Sequence, residues 1–225
     1  MTAERNSRAN PADPESRSTR DRVVDAALTA FGRRGYEATS LDALAGELGV
    51  RKQTILYYFP SKEAVLEAAV DQAAQELTAA LSLAAPGPGP AWNRVRTVVR
   101  AVFRLAARRP ELLGLVREVS RLGPPAATRF ALMLGPLIDR ATSFLEQAMA
   151  GGELRDQDAR LLLLMTYSSV VGVATEVEVL RALGVEPTAR SMVRQRSAIL
   201  GFLRSALLPE GPAATAAVLG QGRRR

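Results

Sequence analysis

From Ser18 to Leu208 the apolar residues recur at three- and four-residue intervals, in runs cut by glycine or proline, and no run alternates with a period of two. An α-helix turns once every 3.6 residues, so this spacing gathers a stripe on one face that must be buried; a strand would need alternation. The chain is therefore predicted to be all-α, with no sheet. Val24, Ala27, Leu28 and Phe31 form the first stripe, and Gly35 behind Arg33 and Arg34 fits a glycine stop after a basic last turn. Thr39 is placed to cap a second helix, with Asp42 reaching back to it, and Leu41, Leu44 and Ala45 face inward until Gly49. A third helix is expected from about Arg51 to Tyr58, ended by Phe59-Pro60. Ser61 then caps a longer fourth, which carries Leu66, Val70, Ala73, Leu77 and Leu81 along one face. The run Ala84-Ala-Pro-Gly-Pro-Gly-Pro90 stops it and is the sharpest boundary in the chain. Five more helices are expected over 91–108, 111–122, 125–150, 156–183 and 187–208, with Pro136 kinking or splitting the third.

Residue usage narrows the chemistry. The 225 residues contain neither Cys nor His, which removes disulfides, thiolate metal sites, the commonest zinc ligand and the commonest general base near neutral pH. No Gly-rich phosphate loop or paired-carboxylate motif stands in their place, so an enzyme is not expected, and no cofactor or metal is implied. The net charge of +7 suits a polyanionic partner but does not locate it: residues 1–62 hold ten Lys/Arg against eight Asp/Glu. The polar start of the chain has no signal-peptide pattern. The longest uncharged stretch, residues 161–175, is too short to span a bilayer. A cytoplasmic protein without a membrane role is expected. The domain plan reads as a disordered tail over 1–17, a small helical domain over 18–65, a larger one over 66–208 and a flexible basic tail over 209–225.

Three short helices, with a tight glycine turn between the second and third, make a helix-turn-helix, a reader of the DNA major groove. The second helix must brace the third so that the third can present its outer face to a groove about 12 Å wide. Leu44, Leu48, Val50, Ile55 and Phe59 supply the inner face, and Arg51, Lys52, Gln53, Thr54, Tyr57 and Tyr58 the outer one. Between Val50 and Lys62 there are three basic residues and no acid, and the chain's only two lysines, Lys52 and Lys62, both lie here.

The run Phe31-Gly-Arg-Arg-Gly-Tyr-Glu-Ala-Thr-Ser-Leu-Asp-Ala-Leu-Ala-Gly-Glu-Leu-Gly-Val50, together with Thr54-Ile-Leu-Tyr-Tyr-Phe-Pro-Ser-Lys-Glu63, resembles the N-terminal domain of the TetR family of transcriptional regulators. The resemblance covers about Thr19 to Val70, and the rest of the chain is similar only in being helical and of the right length. It implies that Thr39 and Ser40 hydrogen-bond a phosphate, that Lys52 and Gln53 face base edges or the adjacent backbone, and that Thr54 sits close to the groove. It further implies that Tyr57, Tyr58 and Lys62 hold phosphates. Two positions depart from the family pattern: Leu56 replaces a usual tyrosine, and Arg51 replaces a common capping serine, so the third helix is expected to fray at its start.

The larger domain carries fewer signals. Its last two long helices are apolar on more than one face, and the resemblance implies that they pair with a second copy in a four-helix bundle, giving a homodimer that reads a pseudo-palindrome. It also implies a small-molecule effector inside the bundle, for which Phe103, Met133, Met165 and Tyr167 are candidate lining residues, with Glu118, Glu176 or Glu178 as polar anchors. The expected function is a ligand-responsive repressor that binds double-stranded DNA. The alternative is a helical adaptor that binds only protein and carries a non-functional head.

Overall fold

The computed structural model describes residues 18–84 and 89–209; the expected tails over 1–17 and from 210 onward, and most of the Pro-Gly boundary, lie outside them. Among the described residues there are ten helices and no strand, so the chain is all-α as its periodicity requires. They are α1 (Thr19–Arg34), α2 (Leu41–Leu48), α3 (Lys52–Tyr58), α4 (Lys62–Ala84), α5 (Ala91–Arg108), α6 (Pro110–Leu122), α7 (Ala126–Ala150), α8 (Ala159–Thr175), α9 (Val177–Ala182) and α10 (Ala189–Leu207). No helix among the described residues is long and apolar enough to cross a membrane.

Helices α1 to α3 close around Val24, Leu28, Phe31, Leu44, Ile55 and Phe59, all buried. Two glycines make the sharp turns. Gly35 ends α1 at φ 88°, donating to the Phe31 carbonyl, and Gly49 ends α2 in the left-handed region at φ 67°. There a Cβ would meet the following carbonyl, so glycine is the residue that fits at least cost. The cap of α2 differs from expectation. Ser40 accepts from the Ala43 amide, whereas Thr39 is buried and its hydroxyl donates to the Gly35 carbonyl at 2.9 Å. Asp42 does not reach back; it pairs with Lys52. The physical reason lies in the turn: Gly35 swings the chain so that Thr39 closes on α1, leaving the next hydroxyl at the helix mouth.

The larger domain is joined to α1 by an unusually close crossing with α6. A Cβ on Gly32 would land on the Glu111 carbonyl, and one on Gly114 would land on the Gly32 carbonyl, so the two backbones touch where side chains would otherwise stand. Around this crossing Arg109 binds Asp25 of α1 at 3.2 Å, Glu76 of α4 at 3.3 Å and Glu111 at 2.9 Å. One expected helix is broken. The segment 156–183 divides at Glu176, whose φ of −82° and ψ of 66° are not helical, and Arg117 holds the break by bonding the Thr175 carbonyl and the Glu176 carboxylate. Pro136 does not split α7, which runs unbroken through it.

Candidate nucleic-acid interface

The outer face of α3 is set by what its inner face buries. Ile55 is fully enclosed and Phe59 nearly so, which turns Arg51, Gln53, Tyr57 and Tyr58 outward. Tyr57 is 82% exposed and its ring meets that of Tyr58 edge-on at 5.1 Å. Tyr57 has little packing role, Tyr58 is partly covered, and neither hydroxyl has a hydrogen-bond partner among the described residues. Leu56, the departure noted in the sequence, is also exposed. Lys52 and Thr54 are half-buried on the same element, and Ser40 is exposed at the start of α2. Thr39 is the exception among the predicted residues: its buried hydroxyl is committed to Gly35, so Ser40 presents the hydroxyl there. Arg51 makes no side-chain cap to α3, in keeping with the expected weak helix start.

Apart from Arg51, the basic side chains around this face are internally engaged. Lys52 Nζ lies 2.9 Å from Asp42, and Lys62 Nζ lies 4.1 Å from the centre of the Tyr36 ring. Arg20 sits over the Phe59 ring at 5.3 Å, Arg22 bonds the Leu48 carbonyl, and Arg34 pairs with Glu47 at 2.7 Å. Lys62 is the first residue of α4, and Ser61 accepts from the Ala64 amide.

Tyr36 is the residue that sequence reasoning missed. Its ring carries Lys62, its hydroxyl donates to Glu63 at 2.9 Å, and its backbone amide donates to Glu118 of α6 at 2.7 Å. Burial, then the Glu63 carboxylate, push its phenol up to about 12. The signal was an aromatic directly after a glycine helix stop, which fixes a side chain over the next element. Glu118, expected as a ligand anchor, is instead spent on this joint: Arg121 and then the Tyr36 amide hold its carboxyl below the ordinary value. Tyr36 thus connects the phosphate candidate Lys62, through its ring, to Glu118 of the larger domain, through its backbone amide.

The remaining ligand candidates differ in exposure. Phe103 is buried, Met133 half-buried, and Met165 and Tyr167 are exposed by about half. None of them lines either of two clefts, one of about 630 Å³ between the end of α7 and the start of α8, the other of about 210 Å³ beside the α1–α6 crossing. Glu176 pairs with Arg117, and the side chain of Glu178 lies outside the described residues.

Known proteins place this arrangement. Residues 23–69 match the family model described as bacterial regulatory proteins, tetR family. The chain is 29% identical over 137 residues to the HTH-type transcriptional repressor KstR of Mycolicibacterium smegmatis, a match spanning 61% of this chain and 66% of that relative. It is 28% identical over 162 residues to the HTH-type transcriptional regulator RutR of Escherichia coli, spanning 65% and 69%. The fold is similar to that of the transcriptional regulator FadR from Bacillus subtilis, solved in complex with stearoyl-CoA, with a TM-score of 0.69 at 19% identity over 83% of this chain and 98% of that one.

Proposed function

We propose that the chain, whose residues 23–69 match the tetR family model, is a TetR-family regulator and acts as a dimeric, effector-released repressor of a two-fold symmetric operator. The observation that carries this reading is the outward face of α3, where Tyr57 and Tyr58 stand free beside Gln53 and Arg51 on a helix whose inner face is locked by Ile55 and Phe59. Phosphate contacts fix register and base contacts specify, so Ser40, Tyr57, Tyr58 and Lys62 are assigned to phosphates. Gln53 and Lys52 are assigned to base edges, with Thr54 close against the groove.

The second copy docks on α8 and α10. Leu161, Leu164 and Met165 of α8, with Val193 and Phe202 of α10, leave apolar side chains in water that a four-helix pairing would cover. Two heads related by this axis would meet half-sites about one helical turn, or a multiple, apart. Effector control is proposed through the seam between α1 and α6. A ligand that prefers one setting of α6 shifts the heads through the Gly32–Gly114 crossing and the Glu118–Tyr36 bond. Repression, rather than activation, is supported by the relative named a repressor. The protein would work in the cytoplasm, where the duplex is.

The test is a mobility-shift titration with fragments of the DNA upstream of its own coding sequence, against excess scrambled duplex. Retention of one fragment through that excess supports the proposal. No retained fragment, or equal competition by scrambled DNA, contradicts it.

A further inference from the structure

A basic recognition segment is ordinarily a liability as well as an asset, because free cations bind any phosphate backbone. This head has few free cations. Residues 18–84 carry seven Lys/Arg against nine Asp/Glu, and within α1 to α3 and the start of α4 each basic side chain except Arg51 has an internal contact. The pairing at Lys52 has the most consequence. Asp42 stands in the first turn of α2, well exposed, and takes the Lys52 ammonium at 2.9 Å across the turn. An exposed ion pair of this kind contributes little to stability, so its effect has to be sought in binding.

Resting on the DNA-binding reading above, we propose that Asp42 is a specificity-determining residue: it competes with DNA for Lys52 and so penalises contact with duplex of the wrong sequence. While paired, Lys52 offers no net charge to a phosphate at a distance. To follow a phosphate its ammonium must leave Asp42, and the carboxylate is then left uncompensated beside a polyanion. A duplex of the wrong sequence, which offers Lys52 only phosphates, incurs that cost. One that offers acceptors at the right base edge, such as guanine O6 and N7, takes the remaining N–H donors of the ammonium while Asp42 keeps its own. A lysine suits this role, since its ammonium carries three rotatable donors on a flexible stem and needs no planar fork.

The experiment uses the full chain and two probes: a duplex enriched by the wild-type protein from a random pool, and a scrambled duplex of equal length and composition. Affinity is read by fluorescence anisotropy between about 50 and 200 mM salt. Asp42→Asn is expected to raise affinity for the scrambled duplex about tenfold and for the enriched one about twofold, with the salt slope steeper by about 1 on both. In a Lys52→Gln background the same change is expected to lose most of that gain. Lys52→Gln alone, a variant that leaves α2 untouched, is expected to weaken the enriched duplex about tenfold and the scrambled one less than twofold. Equal gains on both duplexes would overturn the proposal, as would a gain that survives intact without Lys52, or no gain in an Asp42→Asn protein that melts like wild type. If the wild type enriches no duplex, the DNA-binding reading itself fails; if it discriminates and Asp42→Asn discriminates equally, only the competition fails.

Discussion

The head and the outer helices of the larger domain treat the same residue types in opposite ways. In α1 to α3 the large apolar residues are enclosed except where α3 turns outward, and arginines find a carboxylate, a carbonyl or a ring. In α5 and α10 there are nine arginines and no acid; among the described residues none of the nine meets a carboxylate, and Arg94 instead lies over the Phe144 ring at 3.9 Å. On α8 and α10 Leu161, Leu164, Val193 and Phe202 stand in solvent. Residues 89–209 hold seventeen Lys/Arg against ten Asp/Glu, so the basic excess of the chain resides away from the element assigned to DNA. The difference teaches that net charge is no guide to the reading surface here. The head is closed within one chain, while the outer domain leaves apolar side chains in solvent that the proposed second copy would cover.

The seam between the two regions is where the contrast breaks most easily. Gly32→Val would drive a branched side chain into the Glu111 carbonyl, backbone that cannot step aside, and is expected to cost about 3 kcal/mol of stability. Thermal melting checks this; a loss below about 1 kcal/mol would mean the crossing is looser than it stands. The outer domain comes next. Leu164→Glu, on the exposed face of α8, is expected to leave a folded monomer near 24.1 kDa by light scattering and to lower DNA affinity about a hundredfold, since one head must then bind alone. A dimer that persists would place the interface elsewhere.

Within the head, single contacts are smaller. Tyr57→Phe keeps the ring and removes one hydroxyl, for an expected loss of about 1 kcal/mol in DNA binding with melting unchanged. Lys62→Gln is expected to cost a similar amount across all sequences and to flatten the salt slope by about 1, the signature of a phosphate contact. The smallest effect belongs to Glu118. Its carboxyl titrates below its ordinary value in the folded protein, so the stability it contributes is full above the unfolded value and is lost as pH falls through the folded one. Glu118→Gln should therefore be about 0.5 kcal/mol less stable than wild type at neutral pH, with the gap closing on acidification. A gap that is constant with pH would separate Glu118 from the ionised joint.

The helices were legible because spacing alone decides them. Val24, Ala27, Leu28 and Phe31 had to share a buried face, and Gly35 and Gly49 had to end their helices. Tyr57 and Tyr58 could be assigned outward because Ile55 and Phe59 claim the opposite side. What spacing does not encode is which of two adjacent hydroxyls meets solvent, and so Ser40 takes the cap expected of Thr39. Nor does it encode contacts between distant segments. Tyr36 on Glu118, Arg109 on Asp25 and Glu76, and Gly32 on Gly114 are each separated by tens of residues and rest on side chains or bare backbone with no local pattern. The break at Glu176 belongs to the same class, since Arg117 of another helix holds it. A ligand site was not legible for a plainer reason. Apolar residues on buried faces look alike whether they fill a core or line a cavity.

The most direct measurement of the central reading is a hydroxyl-radical footprint of the full chain on the duplex it enriches from a random pool, repeated with Tyr57→Ala. The account predicts two protected patches one helical turn, or a multiple, apart, both weakened by the substitution. A single patch, or two that are indifferent to Tyr57, would contradict it.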